Sequence, residues 1–253
     1  MAKAKNDKLA KTVKGGAITK WDEELAKHAV EAADKEQMPT GSFISIRGGV
    51  FTIAGQAVKE NKLKAVIIDH VYENAHYEGD YDPDAPQPPT CYAFGRDEKE
   101  LKPHEKASKP CNEQCEGCPN NVFGSAEKGK GKACKNVRRL ALISADGLNA
   151  NSAEKSELVY LKIPVTSVKG WAYYVKGLAA TVRRPPFGVI TEIAVVPDPK
   201  SQFKVNFSCV GPVPDEAMGA VMERREKVME EIMFAYSAPT EAAPAKPKGK
   251  RKF

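Results

Sequence analysis

The chain has 253 residues, 28% of them charged, 42% hydrophobic and with a formal net charge of +6. No run of about 18 apolar residues exists to cross a membrane, and the basic start lacks the apolar segment of a secretory signal, so a cytoplasmic protein is expected. The charge is uneven: residues 128–139 (KGKGKACKNVRR) carry six basic residues and no acid, the local concentration expected where a polyanion docks.

Residues 1–18 read as a disordered basic arm. WDEELAKHAVEAA, from Trp21, reads as a helix with Trp21, Leu25, His28, Ala29 and Ala32 on one stripe. Strand signals follow at Ser42–Arg47, a Gly48-Gly49 hairpin turn, Val50–Ala54, Lys64–Tyr77 and Thr90–Gly95, with the irregular DPDAPQPP between the last two. Strands resume at Arg139–Ser144 and Glu157–Val165. Ser167 is expected to cap a helix reaching about Arg183, with Trp171, Tyr174, Val175, Leu178 and Val182 inward and Pro185-Pro186 beyond its end. Val189–Val196 and Gln202–Val210 are two further strands. Residues 214–236 read as a C-terminal helix and 237–253 as a flexible basic tail. The pattern predicts a mainly β (α+β) domain over residues 19–213, an oligonucleotide-binding-type barrel with appended helices and a loop inserted at 98–138.

That loop carries Cys111, Cys115, Cys118 and Cys134, separated by three, two and fifteen residues in a stretch too polar to fold around its own core. Four thiolates close a tetrahedral zinc site, and the binding free energy then becomes folding free energy. Cys91 and His104 lie just upstream, and a set using one of them in place of a loop cysteine stays open. Cys209, in mid-strand, reads as a core thiol. The first three cysteines also have a spacing used for iron–sulfur clusters, the competing cofactor. Residues 124–131 (GSAEKGKG) approach a phosphate loop but lack its hydroxyl residue and a preceding strand, and are set aside.

A metal-pinned loop would present Lys128, Lys130, Lys132, Lys135, Arg138 and Arg139 to phosphates, while flat side chains would stack on bases. Tyr77 and Tyr92, flanking the proline-rich loop, Phe123 and Tyr173 are the aromatic candidates. Arg183 and Arg184 serve either the helix's negative end or a phosphate. The acidic run Glu78–Asp84 reads as a turn-rich loop, and no catalytic constellation stands out.

The succession PPTCYAFG, CPNNVFGS, GKGKACKNVRRLALI, PVTSVKGWAYYVKGLA and RRPPFGVITEIAVVPDPKSQFKVNF resembles a group of tailed-bacteriophage single-stranded DNA-binding proteins over roughly residues 40–210. The resemblance implies an oligonucleotide-binding barrel interrupted by a zinc loop. It also implies a non-enzymatic role in DNA replication, recombination or repair, with single-stranded DNA and replication or recombination proteins as partners. Many such proteins end in an acidic tail with a terminal aromatic residue. Here Phe253 is preceded by a basic stretch, which puts partner recruitment through the tail in doubt. The competing expectation is a zinc-binding regulator of duplex DNA or RNA polymerase.

Overall fold

The computed structural model describes residues 42–53, 55–79 and 87–236, together with Glu24, Leu25 and His28. The expected arm, most of the first helix, the centre of the proline-rich loop and the tail lie outside the described residues. The chain divides into Met1–Pro39 and Thr40–Phe253, and the second unit carries the sheet.

Its strands are β1 (Ser42–Arg47), β2 (Val50–Ile53), β3 (Gln56–Ala57), β4 (Lys62–His76), β5 (Cys91–Gly95), β6 (Lys135–Ser144), β7 (Val159–Ile163), β8 (Val189–Asp198) and β9 (Gln202–Pro212). Helices among the described residues are α1 (Ala150–Lys155), α2 (Val165–Gly177) and α3 (Asp215–Glu231). The fold is mainly β, as expected. The strands form one strongly curled half-barrel sheet in the order β3-β2-β1-β7-β6-β4-β8-β9, with β5 on β4. The β1–β7 pair is parallel and the other pairs are antiparallel. Among the described residues no helix is long and apolar enough to cross a membrane.

Both faces of the sheet are covered. On one, Ile67, Leu140, Leu142, Leu161, Ile163 and Ile193 pack with Trp171 of α2. On the other, Val66, Ile68, Val71, Ala141 and Ile143 meet Ala217, Val221 and Val228 of α3, and Ala153 of α1. Strand residues alternate between these faces, as the pleat requires. At Ile68 a bulge resets the alternation, shifting the β4–β6 register between Ile67 and Asp69.

Several boundaries differ from expectation for visible reasons. Gly48 and Gly49 do form the hairpin turn, both at positive φ. Ser167 caps nothing: α2 begins earlier, at Val165, and the buried Ser167 hydroxyl accepts the Val205 N–H at 2.8 Å, pinning α2 to β9. Cys209 is exposed rather than core, because β9 is an edge strand with an outward face. α3 stops at Glu231, not Tyr236. Carbonyls at and just beyond its end are taken by two arginines: Arg96, which follows β5, bonds Met229 O at 3.1 Å, and Arg139 of β6 bonds Ile232 O at 3.1 Å and Phe234 O at 3.0 Å. Cations there complement the negative helix end.

Arg139 is the notable departure. It is fully buried, pairing through Nε with Glu73 Oε2 at 2.8 Å. Its guanidinium lies 4.1 Å from the Phe94 ring and 4.4 Å from Phe234. Glu73 also takes Lys162 at 2.7 Å and the Tyr236 hydroxyl. Burial alone would raise the Glu73 carboxyl, but Lys162 and Arg139 outweigh it and hold the group below its ordinary 4.5. Its ionisation therefore stabilises the fold above about pH 4.5, and that contribution is lost as pH falls further, through the depressed folded value. Removing Arg139 leaves the fully buried Glu73 carboxylate with only Lys162 and the Tyr236 hydroxyl to compensate it. Arg139→Met is expected to lower unfolding free energy by about 3–5 kcal/mol in urea titration. A loss under about 1 kcal/mol would mean the pair does not hold the sheet.

Candidate metal centre and nucleic-acid interface

β4 has β5 on one edge and β6 on the other at its C-terminal end, through Tyr72–His76. The segment between β5 and β6, residues 96–134, therefore has to cross β4. It does so over the face carrying Tyr72, Asn74 and His76. Gly95 makes room for the crossing: a Cβ there would lie 2.6 Å from Leu101 Cδ2, and Leu101 is almost fully buried. Backbone bonds from His104 N to Tyr92 O (2.7 Å), Lys109 N to Thr90 O (2.8 Å) and Cys115 N to Leu101 O (2.9 Å) seat the segment.

The crossing gathers five thiols. Cys91 of β5 and the loop residues Cys111, Cys115, Cys118 and Cys134 line one small cavity of about 20 Å³, with Asn74 and His76 of β4 in its wall. That is room for about one water-sized sphere. Cys115 and Cys118 share a turn with Gly117 at φ 75°, a left-handed residue that glycine adopts freely. Pro119 then opens the short 3-10 turn Pro119–Asn121. Cys134 returns alongside it, its N–H bonded to Asn120 O at 2.8 Å.

The alternatives left open by spacing resolve unequally. Cys91 is inside the cluster, accepting the Cys111 N–H on its sulfur at 3.4 Å. His104 is outside it: its ring stacks on Tyr92 at 5.1 Å and its Nδ1 accepts the Lys106 N–H at 3.1 Å. His76 and Asn74 are additions. Neither His76 Nδ1 nor Asn74 Nδ2 has a hydrogen-bond partner although both are buried. Their membership follows from strand register, which the local sequence does not carry.

Burial pushes the Cys134 thiol up to about 12 and the Cys91 thiol up to about 11, with neighbouring thiols adding to both. Cys115 rises for the same reasons. Crowded soft donors of this kind are neutral at physiological pH unless a cation compensates them. Among the described residues no three histidine, cysteine or carboxylate side chains stand at the spacing of an assembled metal centre. The five thiols and the unpartnered imidazole nitrogen nevertheless form a donor set that fits zinc, and four of them would suffice.

Beyond the cysteines the loop is held by its own polar bonds. The Ser125 hydroxyl donates to Val122 O (2.7 Å) and Asn120 O (3.0 Å) and accepts the Ala133 N–H (3.0 Å). Gly124 N bonds Gly131 O at 2.9 Å. This framework leaves Phe123 82% exposed, with Lys132 Nζ 5.4 Å from its ring centre. Lys128, Lys130 and Lys135 are also exposed, and Lys135 Nζ bonds Lys132 O at 3.2 Å.

The remaining expected contacts scatter. Arg138 and Arg139, adjacent in β6, point to opposite faces. Arg139 is withdrawn from any phosphate by its burial. Arg138 lies over Tyr72 at 3.7 Å and reaches Glu98 at 3.8 Å, its side chain 12% exposed. Tyr92 is buried, not exposed, because β5 turns it inward beside Tyr236 at 5.0 Å. Tyr77 is partly exposed, its hydroxyl accepting from Lys162 at 3.2 Å. Tyr173 is exposed on α2 with Lys169 Nζ 5.6 Å from its ring. Arg183 and Arg184 lie at a separate cleft beyond α2.

Searches against protein-family models, curated proteins and solved structures return no match to the chain.

The thiols differ enough in exposure to be told apart chemically. In the native chain Cys209 is expected to react with a thiol reagent well ahead of Cys91, Cys115, Cys118 and Cys134, which are buried and become reactive on unfolding. Mass-mapped labelling checks this, and prompt labelling of Cys115 or Cys134 would contradict the packing described.

Proposed function

We propose that the protein binds single-stranded DNA without sequence preference, through a basic loop fixed by a zinc ion, in replication, recombination or repair. One observation carries the reading: Phe123 stands 82% exposed beside Lys132 on a loop that also displays Lys128 and Lys130, with Lys135 exposed at its end. An exposed aromatic ring beside a lysine offers a base a flat face to stack on. A base has two flat faces, and its phosphate follows within reach of Lys128, Lys130, Lys132 and Lys135. The half-barrel is compatible with an oligonucleotide-binding barrel, the architecture this reading favours.

Cys91, Cys111, Cys115, Cys118 and Cys134 are the residues to supply the metal's ligands, with His76 as a further donor. When bound, zinc would supply a tetrahedral cross-link among thiolates in place of an apolar core. The protein's own part is to hold the loop in shape with Phe123 outward, which the Ser125 hydroxyl does through both strands of the loop.

Titration of a labelled oligonucleotide across a salt series tests the reading. Log affinity is expected to fall linearly with log salt, and Lys130→Ala to reduce the slope by about 0.7. Phe123→Ala is expected to cost about 1–3 kcal/mol without changing the slope. Equal affinity for duplex in a competition, or affinity insensitive to salt and to Phe123, would sink it.

A further inference from the structure

A second basic site lies away from the cysteine loop, where three departures from regular backbone meet. The first is the β4 bulge at Ile68. β8 pairs with β4 only over Lys62–Ala65, and β5 only over Tyr72–His76. The edge of β4 from Val66 to Val71 is left without a strand partner on that side, among the described residues. The second is the end of α2, which widens into a π-helical turn over Leu178–Val182. The third is Arg183, a non-glycine residue in the left-handed region at φ 55°. π-Turns and left-handed side-chain-bearing residues cost free energy and gather at functional sites.

These elements enclose a cleft of about 530 Å³ lined by Ile67 to His70, Val175, Ala179, Arg183 to Phe187 and Arg225. Three guanidinium groups border it. Arg225 rests against the Phe187 ring at 4.8 Å, and its buried Nε has no hydrogen-bond partner. Arg184 donates to Gly188 O at 3.3 Å, and Arg183 is exposed at the rim. The one carboxylate in the lining, Asp69, is engaged by both terminal nitrogens of Arg96, at 2.6 and 3.2 Å. The three cleft arginines thus face no free acid there.

We infer that this cleft, bounded by Arg183, Arg184 and Arg225, binds the terminal phosphate of a nucleotide. Guanidiniums present paired N–H donors that match a phosphate's oxygens. A terminal phosphate, with up to two negative charges, suits three cations better than the single charge of an internal diester. The volume holds one nucleotide unit with its base against the apolar wall of Ile67, Val175 and Ala179. Two sources share this chemistry, a free mononucleotide and the phosphorylated end of a strand. The site stands on its own lining and does not require the cysteine loop to bind DNA.

Calorimetric titration of the full chain with deoxyadenosine 5′-monophosphate, and with the unphosphorylated nucleoside, tests it. The monophosphate is expected to bind about tenfold or more tightly than the nucleoside. Arg183→Gln and Arg225→Gln are each expected to weaken it by about tenfold, with unchanged circular dichroism. Arg183 is exposed, so its replacement is expected to leave the fold intact. The dinucleotide pTpT binding more tightly than the monophosphate would support the site and assign it to strand ends. Monophosphate binding as tight as pTpT would support it and assign it to free nucleotides. Equal binding of nucleoside and monophosphate, or both variants binding like the unaltered chain, would overturn it. Phe123→Ala is expected to leave monophosphate binding unchanged, so a failure here is separable from a failure of the loop to bind DNA.

Discussion

The buried pair between Glu73 and Arg139 fixes the register of β4 on β6, and both candidate sites depend on that register. A one-residue slip would turn every side chain of β4 to the opposite face. Glu73 would leave Arg139, Lys162 and Tyr236, and two buried charges would lose their partners. The same slip would carry Asn74 and His76 away from the thiols. The alternation that keeps Glu73 on the α3 face therefore places the cysteine cavity on the other. Arg139 also reaches past the sheet to Ile232 O and Phe234 O, so the pair sets where α3 ends.

The cysteine segment answers a different problem. Its hydrophobic residues are few, and Val122 and Phe123 point outward. What orders it is edge pairing to β5, a hydroxyl bridge from Ser125, and five thiols packed against the sheet. Packing raises the thiols at Cys91, Cys115 and Cys134, so burial holds these three in their neutral form. A polar loop stabilised this way can leave both its charge and its aromatic residue at the surface. A loop held by an apolar core would have to bury Phe123.

Much of this could be read from the residues alone. β1, the Gly48-Gly49 turn, β5, β8 and β9 follow from alternation and turn chemistry, which are local. The spacing of Cys111, Cys115, Cys118 and Cys134 pointed to one cluster, and the cavity they line brings them together. What could not be read depends on pairing between distant strands. Cys91 enters the cluster because β5 lies beside β4. Arg138 and Arg139, taken together as a basic patch, are split by the pleat. Tyr92 turns inward because α3 ends at the sheet and lays Tyr236 over it. Ser167 looked like a cap, but α2 starts two residues before it and the hydroxyl serves β9. Arg225 is distant in sequence from Arg183 and Arg184, and the bulge at Ile68 has no signature in an apolar run.

The most direct test of the account is the affinity of the full chain for a single-stranded oligonucleotide before and after its metal is removed by a chelator, with metal content measured alongside. The account predicts one zinc ion per chain, a loss of affinity of about tenfold or more on removal, and recovery when zinc is returned. A brown chain absorbing near ~400 nm would replace zinc by an iron–sulfur cluster. A metal-free chain that binds the oligonucleotide as tightly as the loaded one would contradict it.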